Sequence, residues 1–137
     1  MSLPKSIRTV ALVHIQSRQL MLVRPHGKAA FYMPGGKLED GETEHEALIR
    51  EINEETHLIL EPATISFRRT YIAPAYGLPT AQVEIDCYGA LVDGKPVPGR
   101  EIADIGFFRS GTYLQLKDVA PAVVEIIKDL VASDEID

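Results

Sequence analysis

The sequence predicts an α/β fold on three observations. Short β-branched and aliphatic runs recur along the chain, an acidic segment with helical spacing interrupts them, and an amphipathic helix closes the chain. The first run, residues 10–15, is almost continuously apolar, which suits a strand covered on both faces. Residues 16–19 turn the chain into a second strand at 20–23, and Pro25, Gly27 and Lys28 form a loop before a short third strand at 31–33. Pro34, Gly35 and Gly36 read as a glycine turn leading to a helix, whose start is marked by the capping-box spacing of Thr43 and Glu46. Beyond the helix, Ile65, Phe67, Arg69 and Tyr71 alternate with Ser66, Arg68 and Thr70. Val83, Ile85, Cys87, Gly89 and Leu91 alternate with Gln82, Glu84, Asp86 and Tyr88. These are the arms of a hairpin turning at Gly77-Leu78-Pro79. A Gly- and Pro-rich loop at 93–100 precedes a last strand at 105–108. Val123, Ile126, Ile127, Leu130 and Val131 then recur at helical spacing opposite Glu125, Lys128 and Asp129, with Asp118 as the expected N-cap and Pro121 in the first turn.

With 137 residues and no repeat or linker, the chain is expected to form one domain spanning 1–137. An apolar fraction of 45% and a charged fraction of 25% are those of a soluble globular protein. No apolar run approaches the ~20 residues of a membrane span, so no membrane partner is expected. The lone Cys87 rules out a disulfide framework and a cysteine metal site. With no signal-peptide profile at the N-terminus, a cytoplasmic location is expected. A pI near 5.2 argues against non-specific nucleic-acid binding, which depends on Lys and Arg neutralising phosphates. A small-molecule partner is expected instead, bound by a monomer or homodimer.

The charge is concentrated. Residues 37–55 hold eight carboxylates against Lys37 and Arg50, a net of −6 that equals the charge of the whole chain. Carboxylates crowded on one segment repel unless a cation sits among them, and a divalent metal is the simplest candidate. On a helical wheel Leu48, Ile49, Ile52 and Thr56 fall within an arc of about 100° that faces the core. Glu51, Glu54 and Glu55 occupy the neighbouring arc, with the small Ala47 leaving them uncovered. Three convergent carboxylates suit Mg²⁺, which takes oxygen ligands and substrate phosphates together. Arg50 is spaced to pair with Glu54 or Glu46, and the Gly35-Gly36 turn lets backbone approach a phosphate or the helix. Composition alone also admits a plain solvated acidic face; the order of the residues separates the two.

Gly36, Glu42, Arg50, Glu51, Ile52, Glu54, Glu55 and Leu58 stand at the spacing of the Nudix box, preceded by its usual Pro34-Gly35 lead-in. The chain resembles the Nudix hydrolase family, MutT-like members included, over this 23-residue box and, in element order, over nearly its full length. One departure is His57, where the family has glycine. The resemblance implies an α/β/α sandwich with a mixed β-sheet between helices. It also implies a Mg²⁺- or Mn²⁺-dependent hydrolase of a nucleoside diphosphate linked to another moiety. In that reading Glu51, Glu54 and Glu55 are catalytic metal ligands, Arg50 positions them, and Glu42 locks the loop before the helix. The base is Glu101 by preference, with Asp104, Glu84 and Asp86 behind it. His57 is expected to end the helix in a left-handed conformation at a cost of roughly 1 kcal/mol.

Substrate contacts are less legible. Arg24, Lys28, Arg68 and Arg69 are candidate phosphate contacts, and Phe31, Tyr32, Phe67, Tyr71 and Tyr76 candidate stacking partners for a base. Family rules place a proline downstream of the box in ADP-ribose hydrolases and a tyrosine slightly later in dinucleoside polyphosphate hydrolases; Pro74 and Tyr76 half-match both. Short length favours the compact members that hydrolyse (d)NTPs, oxidised ones included. ADP-ribose, nucleotide-sugar and dinucleoside polyphosphate hydrolysis are the alternatives, as is a nucleotide-binding sensor without catalysis. An isomerase of the same fold would need a catalytic Cys87, which reads as core packing.

Overall fold

The structure, a computed structural model, describes residues 5–137. Strand β1 (Lys5–Leu12) runs parallel to β7 (Leu78–Gly89) and antiparallel to the two-residue β4 (Gly35–Gly36). With β6 (Ser66–Ala75) paired antiparallel to β7, they make a mixed sheet in the order β4-β1-β7-β6. A second sheet joins β2 (Ile15–Gln16), β3 (Gln19–Pro25) and β9 (Ile102–Phe108). A small ribbon pairs β5 (Ile59–Leu60) with β8 (Val92–Asp93).

Helices pack on both sides. On one face Ala47, Leu48 and Ile52 of α1 (Glu44–Thr56) bury against Val10, Leu12, Met21 and Tyr88. On the other, Val123, Ile126, Ile127 and Leu130 of α3 (Pro121–Ala132) bury against Ala11, Val13, Ile85 and Cys87. Successive residues of β1 thus enter different cores, which is why its C-terminal half carries no polar face. Each fully buried Leu or Ile here contributes about 1.5–3 kcal/mol. The arrangement is the α/β/α sandwich with a mixed sheet.

Several elements differ from expectation, each for a local reason. Gly35 and Gly36 do not turn; they extend along β1, pairing with Ala11 and Val10. Residues 31–33 form only a bridge between Tyr32 and Val23, on the β3 edge opposite β9. The hairpin arms reach further than predicted, to Ala75 and from Leu78, while β7 ends at Gly89, so Leu91 is exposed and not core. The N-cap of α3 is Ala120, with no side-chain bond; Asp118 instead accepts the Tyr76 hydroxyl at 2.8 Å.

The short helix α2 (Ser110–Leu114) went unpredicted, yet it carries Tyr113, fully buried. The Tyr113 hydroxyl donates to Phe31 O and accepts from Ala120 N–H, both at 2.9 Å, pinning the loop before α3 to the segment before β4. Tyr113→Phe leaves both backbone groups without that partner. We expect a loss of about 1–3 kcal/mol in urea unfolding, with no change in m-value.

Candidate active site

Helix α1 is set at both ends. Thr43 Oγ1 accepts from Glu46 N–H at 3.2 Å while the Glu46 carboxylate accepts from Thr43 N–H at 2.9 Å, the reciprocal box the sequence predicted. His57 closes the helix at φ 61° and ψ 7°, its N–H donating to Asn53 O. The left-handed geometry the family meets with glycine is therefore met here by histidine.

Between these ends Arg50 gathers the acidic residues. Its Nε and Nη2 donate to the two Glu42 oxygens at 2.6 and 2.9 Å, Nη1 to Glu51 at 2.8 Å and Glu54 at 3.4 Å, and Nη2 also to Lys37 O at 3.1 Å. Glu46, the other expected partner, is occupied by the cap. Glu42 also accepts from Glu39 N–H at 2.8 Å. The Arg50 guanidinium, and second the Glu39 N–H, hold the Glu42 carboxyl down at about 2.

Gly35 and Gly36 bring the sheet against the same helix. Gly35 N–H donates to Glu55 Oε1 at 2.7 Å. Gly35 has φ 146°, and a Cβ on it would stand 1.9 Å from Val10 O; one on Gly36 would stand 2.5 Å from the Glu51 carboxyl carbon. No larger residue fits at Gly35, where the clash is with backbone, and one at Gly36 would displace the Glu51 carboxylate. Burial pushes the Glu55 carboxyl up to about 8, against the Gly35 bond, and raises Glu51 against its bond to Arg50. For Glu55 that shift corresponds to on the order of 5 kcal/mol against the charged form. The Gly35 bond is already included in that balance, so the charged form is favoured only with a cation beside it.

Glu39, Arg50, Glu51, Glu54 and Glu55 line one cleft of about 320 Å³, closed on its far side by Pro25, Arg100, Glu101 and Ile102. All donors offered by its acidic walls are oxygen, the chemistry of a hard divalent cation. Among the described residues no three acidic, His or Cys side chains converge tightly enough to enclose an ion as they stand. Glu51 and Glu54 turn to Arg50, and Glu55 to Gly35, so each carboxylate faces its own partner.

The family described as NUDIX domain matches residues 5–130, from β1 to the last turns of α3. The chain belongs to the NUDIX family. No curated protein matches it. Among solved structures it is similar to the ORF135 protein of E. coli, at 20% identity over 96% of this chain and 92% of that one, TM-score 0.73. It is also similar to the MutT NUDIX hydrolase of Burkholderia pseudomallei, at 18% identity over 93% and 98%, TM-score 0.72. A third likeness is to UDP-X diphosphatase, at 22% identity over 98% of this chain and 66% of that one, TM-score 0.67. At such identities the likeness establishes the fold, and the family match identifies a Nudix hydrolase, whose general activity is pyrophosphohydrolysis.

Other candidates fall elsewhere in this Nudix domain. Arg24 is bound to Asp104 across the β3–β9 pair and to Lys28 O, so these two candidates pair with each other. Arg69 pairs with Asp129 at 2.7 Å and Arg68 with Glu135 at 2.6 Å, on the α3 side of the sheet, remote from the glutamates. Glu84 lies 3.9 Å from Arg8, and Asp86 accepts from Thr70 Oγ1 at 2.5 Å, both on β7 and outside the cleft. Phe67 and Tyr71 go with them: Phe67 packs edge-on to Tyr88, and the Tyr71 hydroxyl bonds Asp129. Phe31 packs on Phe108.

Tyr76 does reach a cavity, together with Tyr32 and Pro74. It measures about 230 Å³, lies between β1, the hairpin and the start of α3, and includes Gly35 and Gly36 in its wall. Both glycines therefore line this pocket and also touch Glu55 and Glu51 of the cleft, which the motif alone does not reveal.

The Glu42–Arg50 pair carries a pH signature. Because folding lowers the Glu42 carboxyl from 4.5 to about 2, its contribution is complete above pH 4.5 and is lost as the pH falls through 2. Glu42→Gln should lower Tm at pH 7, and the gap between variant and parent should shrink steadily below pH 4.5 in thermal melts. A gap that widens in acid would contradict the assignment.

Proposed function

We propose that the protein is a Mg²⁺- or Mn²⁺-dependent pyrophosphohydrolase of nucleoside triphosphates, with (d)NTPs, oxidised dNTPs among them, as its substrates. The observation that carries this reading is the adjacency of a carboxylate cleft and an apolar pocket across Gly35 and Gly36. A phosphate chain belongs in the first and a base in the second.

The pocket's size supports a mononucleotide. At about 230 Å³ it falls below the ~300–1,000 Å³ typical of a whole ligand site, and suits one base-sized group. Its walls are mostly aliphatic, with the rings of Tyr32 and Tyr76 meeting edge-to-face at 6.2 Å. ADP-ribose, nucleotide sugars and dinucleoside polyphosphates carry a second bulky end, for which the cleft beyond Gly36 offers mainly charged walls.

Glu51, Glu54 and Glu55 would hold the metal through carboxylate oxygens. When bound, the ion supplies charge neutralisation for the phosphates and orients the attacking water. Arg50 keeps Glu51 and Glu54 in place, and Gly35 N–H aims Glu55. Glu101, on the opposite wall, is the proposed base: it takes the water proton as oxygen attacks phosphorus and the bridging P–O bond breaks.

Incubation with a dNTP and MgCl₂ should yield the nucleoside monophosphate and pyrophosphate, resolved by ion-exchange chromatography. Glu55→Gln and Glu51→Gln should each reduce kcat by roughly 10²–10⁴-fold. A parent rate untouched by EDTA refutes the metal reading, and tight dNTP binding without turnover favours the sensor. Cys87, fully buried with its thiol pushed up to about 12 by burial, has no role in this chemistry. Cys87→Ser should keep kcat within about threefold of the parent; loss of activity would reopen the isomerase.

A further inference from the structure

The loop between β8 and β9 is built onto the end of the helix that carries the glutamates. Val97 N–H donates to Thr56 O at 2.9 Å and Gly99 N–H to Glu55 O at 2.8 Å, satisfying two carbonyls that a helix C-terminus leaves unpaired. His57 Nδ1 lies 2.9 Å from Val97 O, so with the proton on that nitrogen the ring donates to the loop. The contact is tight enough that a Cβ on Gly99 would stand 1.9 Å from Glu54 O. Past Gly99 the chain turns sharply. Ile102 N–H donates to Gly99 O at 3.2 Å, and His26 N–H to Glu101 O at 2.8 Å, with Glu101 held at φ 66°. The result is that Arg100 and Glu101 face the glutamates across the cleft.

Arg50 and Arg100 are the two cations lining that cleft. Arg50 is consumed inside the protein by Glu42, Glu51, Glu54 and Lys37 O. Arg100 forms no ion pair among the described residues. A phosphate chain entering between Glu39, Glu51, Glu54, Glu55 and Glu101 is repelled by every wall except where Arg100 stands. A guanidinium presents paired N–H donors that match phosphate oxygens.

We infer that Arg100 is a substrate-phosphate contact of this cleft, and that His57 is the positioning residue that fixes its loop to α1. This rests on the phosphoanhydride reading above and adds a protein cation to it. It also explains the one departure from the box. Glycine at position 57 would adopt the left-handed backbone without strain but would have no ring to bond Val97 O. Histidine accepts the strain and supplies the bond.

The test uses the full chain and dGTP as probe. Calorimetry in CaCl₂ gives Kd, and steady-state turnover in MgCl₂ gives KM and kcat. Arg100→Ala should raise Kd and KM roughly ten- to a hundredfold, with kcat within about threefold and Tm unchanged, since the side chain is exposed. His57→Gly keeps the backbone and removes the ring; it should raise Kd and KM by at least about threefold. His57→Asn tolerates the same backbone and restores an N–H donor near the ring nitrogen, so it should stay within about twofold of the parent. A Kd for Arg100→Ala within about twofold of the parent overturns the Arg100 assignment. Equal values for His57→Gly and the parent overturn the role of His57. If the parent binds dGTP but does not cleave it, only the hydrolase reading falls, because the binding constants still decide Arg100.

Discussion

The backbone at Gly35 and Gly36 lies against β1 on one side and against the Glu51 and Glu55 carboxylates on the other, and that double contact organises the site. It brings the backbone of β4 closer to β1 than a side chain at Gly35 would permit, and leaves room for the Glu51 carboxylate at Gly36. Two of the three glutamates are thereby drawn into the wall of the cleft, and their desolvation follows. The same two residues line the apolar pocket, so pocket and cleft meet at one short strand. Packing of Leu48 and Ile52 beneath the helix keeps that geometry rigid.

Electrostatics on α1 depend on where the compensating charge sits. Glu42 and Arg50 form a bidentate pair, the stronger kind of ion pair, and it ties the loop before the helix to the helix middle. Arg50 then serves Glu51 and Glu54 with its remaining nitrogen. Glu55 has only a backbone N–H, which does not offset its burial. The helix is thus stable with its acidic residues locked, yet retains a carboxylate whose charged form calls for an external cation.

Much of this was legible in particular residues. The capping box of Thr43 and Glu46, the core stripe of Leu48, Ile52 and Thr56, and the grouping of Glu51, Glu54 and Glu55 all follow from a local period of 3.6 residues. The alternation of Val83, Ile85 and Cys87 likewise marked a core-facing strand. Gly35 and Gly36 were misread as a turn, because glycine signals conformational freedom and equally signals close approach. Arg24 and Arg69, read as candidate phosphate contacts, pair with Asp104 and Asp129, 80 and 60 residues away, and such pairs leave no trace in local sequence. Tyr113 and Arg100 carried no signal at all: one acts through two backbone groups, the other through the loop that presents it.

By itself the sequence determined the fold class, the ends of α1, the family box and the grouping of its carboxylates, since each is written in spacing along the chain. Tertiary structure decided which charges are already spent, which glycines are walls, and where the second cavity lies. Those depend on partners brought together from distant parts of the chain. His57 shows the division most plainly. Its departure from glycine and its left-handed backbone could be read from the motif, whereas its bond to Val97, 40 residues on, exists only once the loop has folded onto the helix.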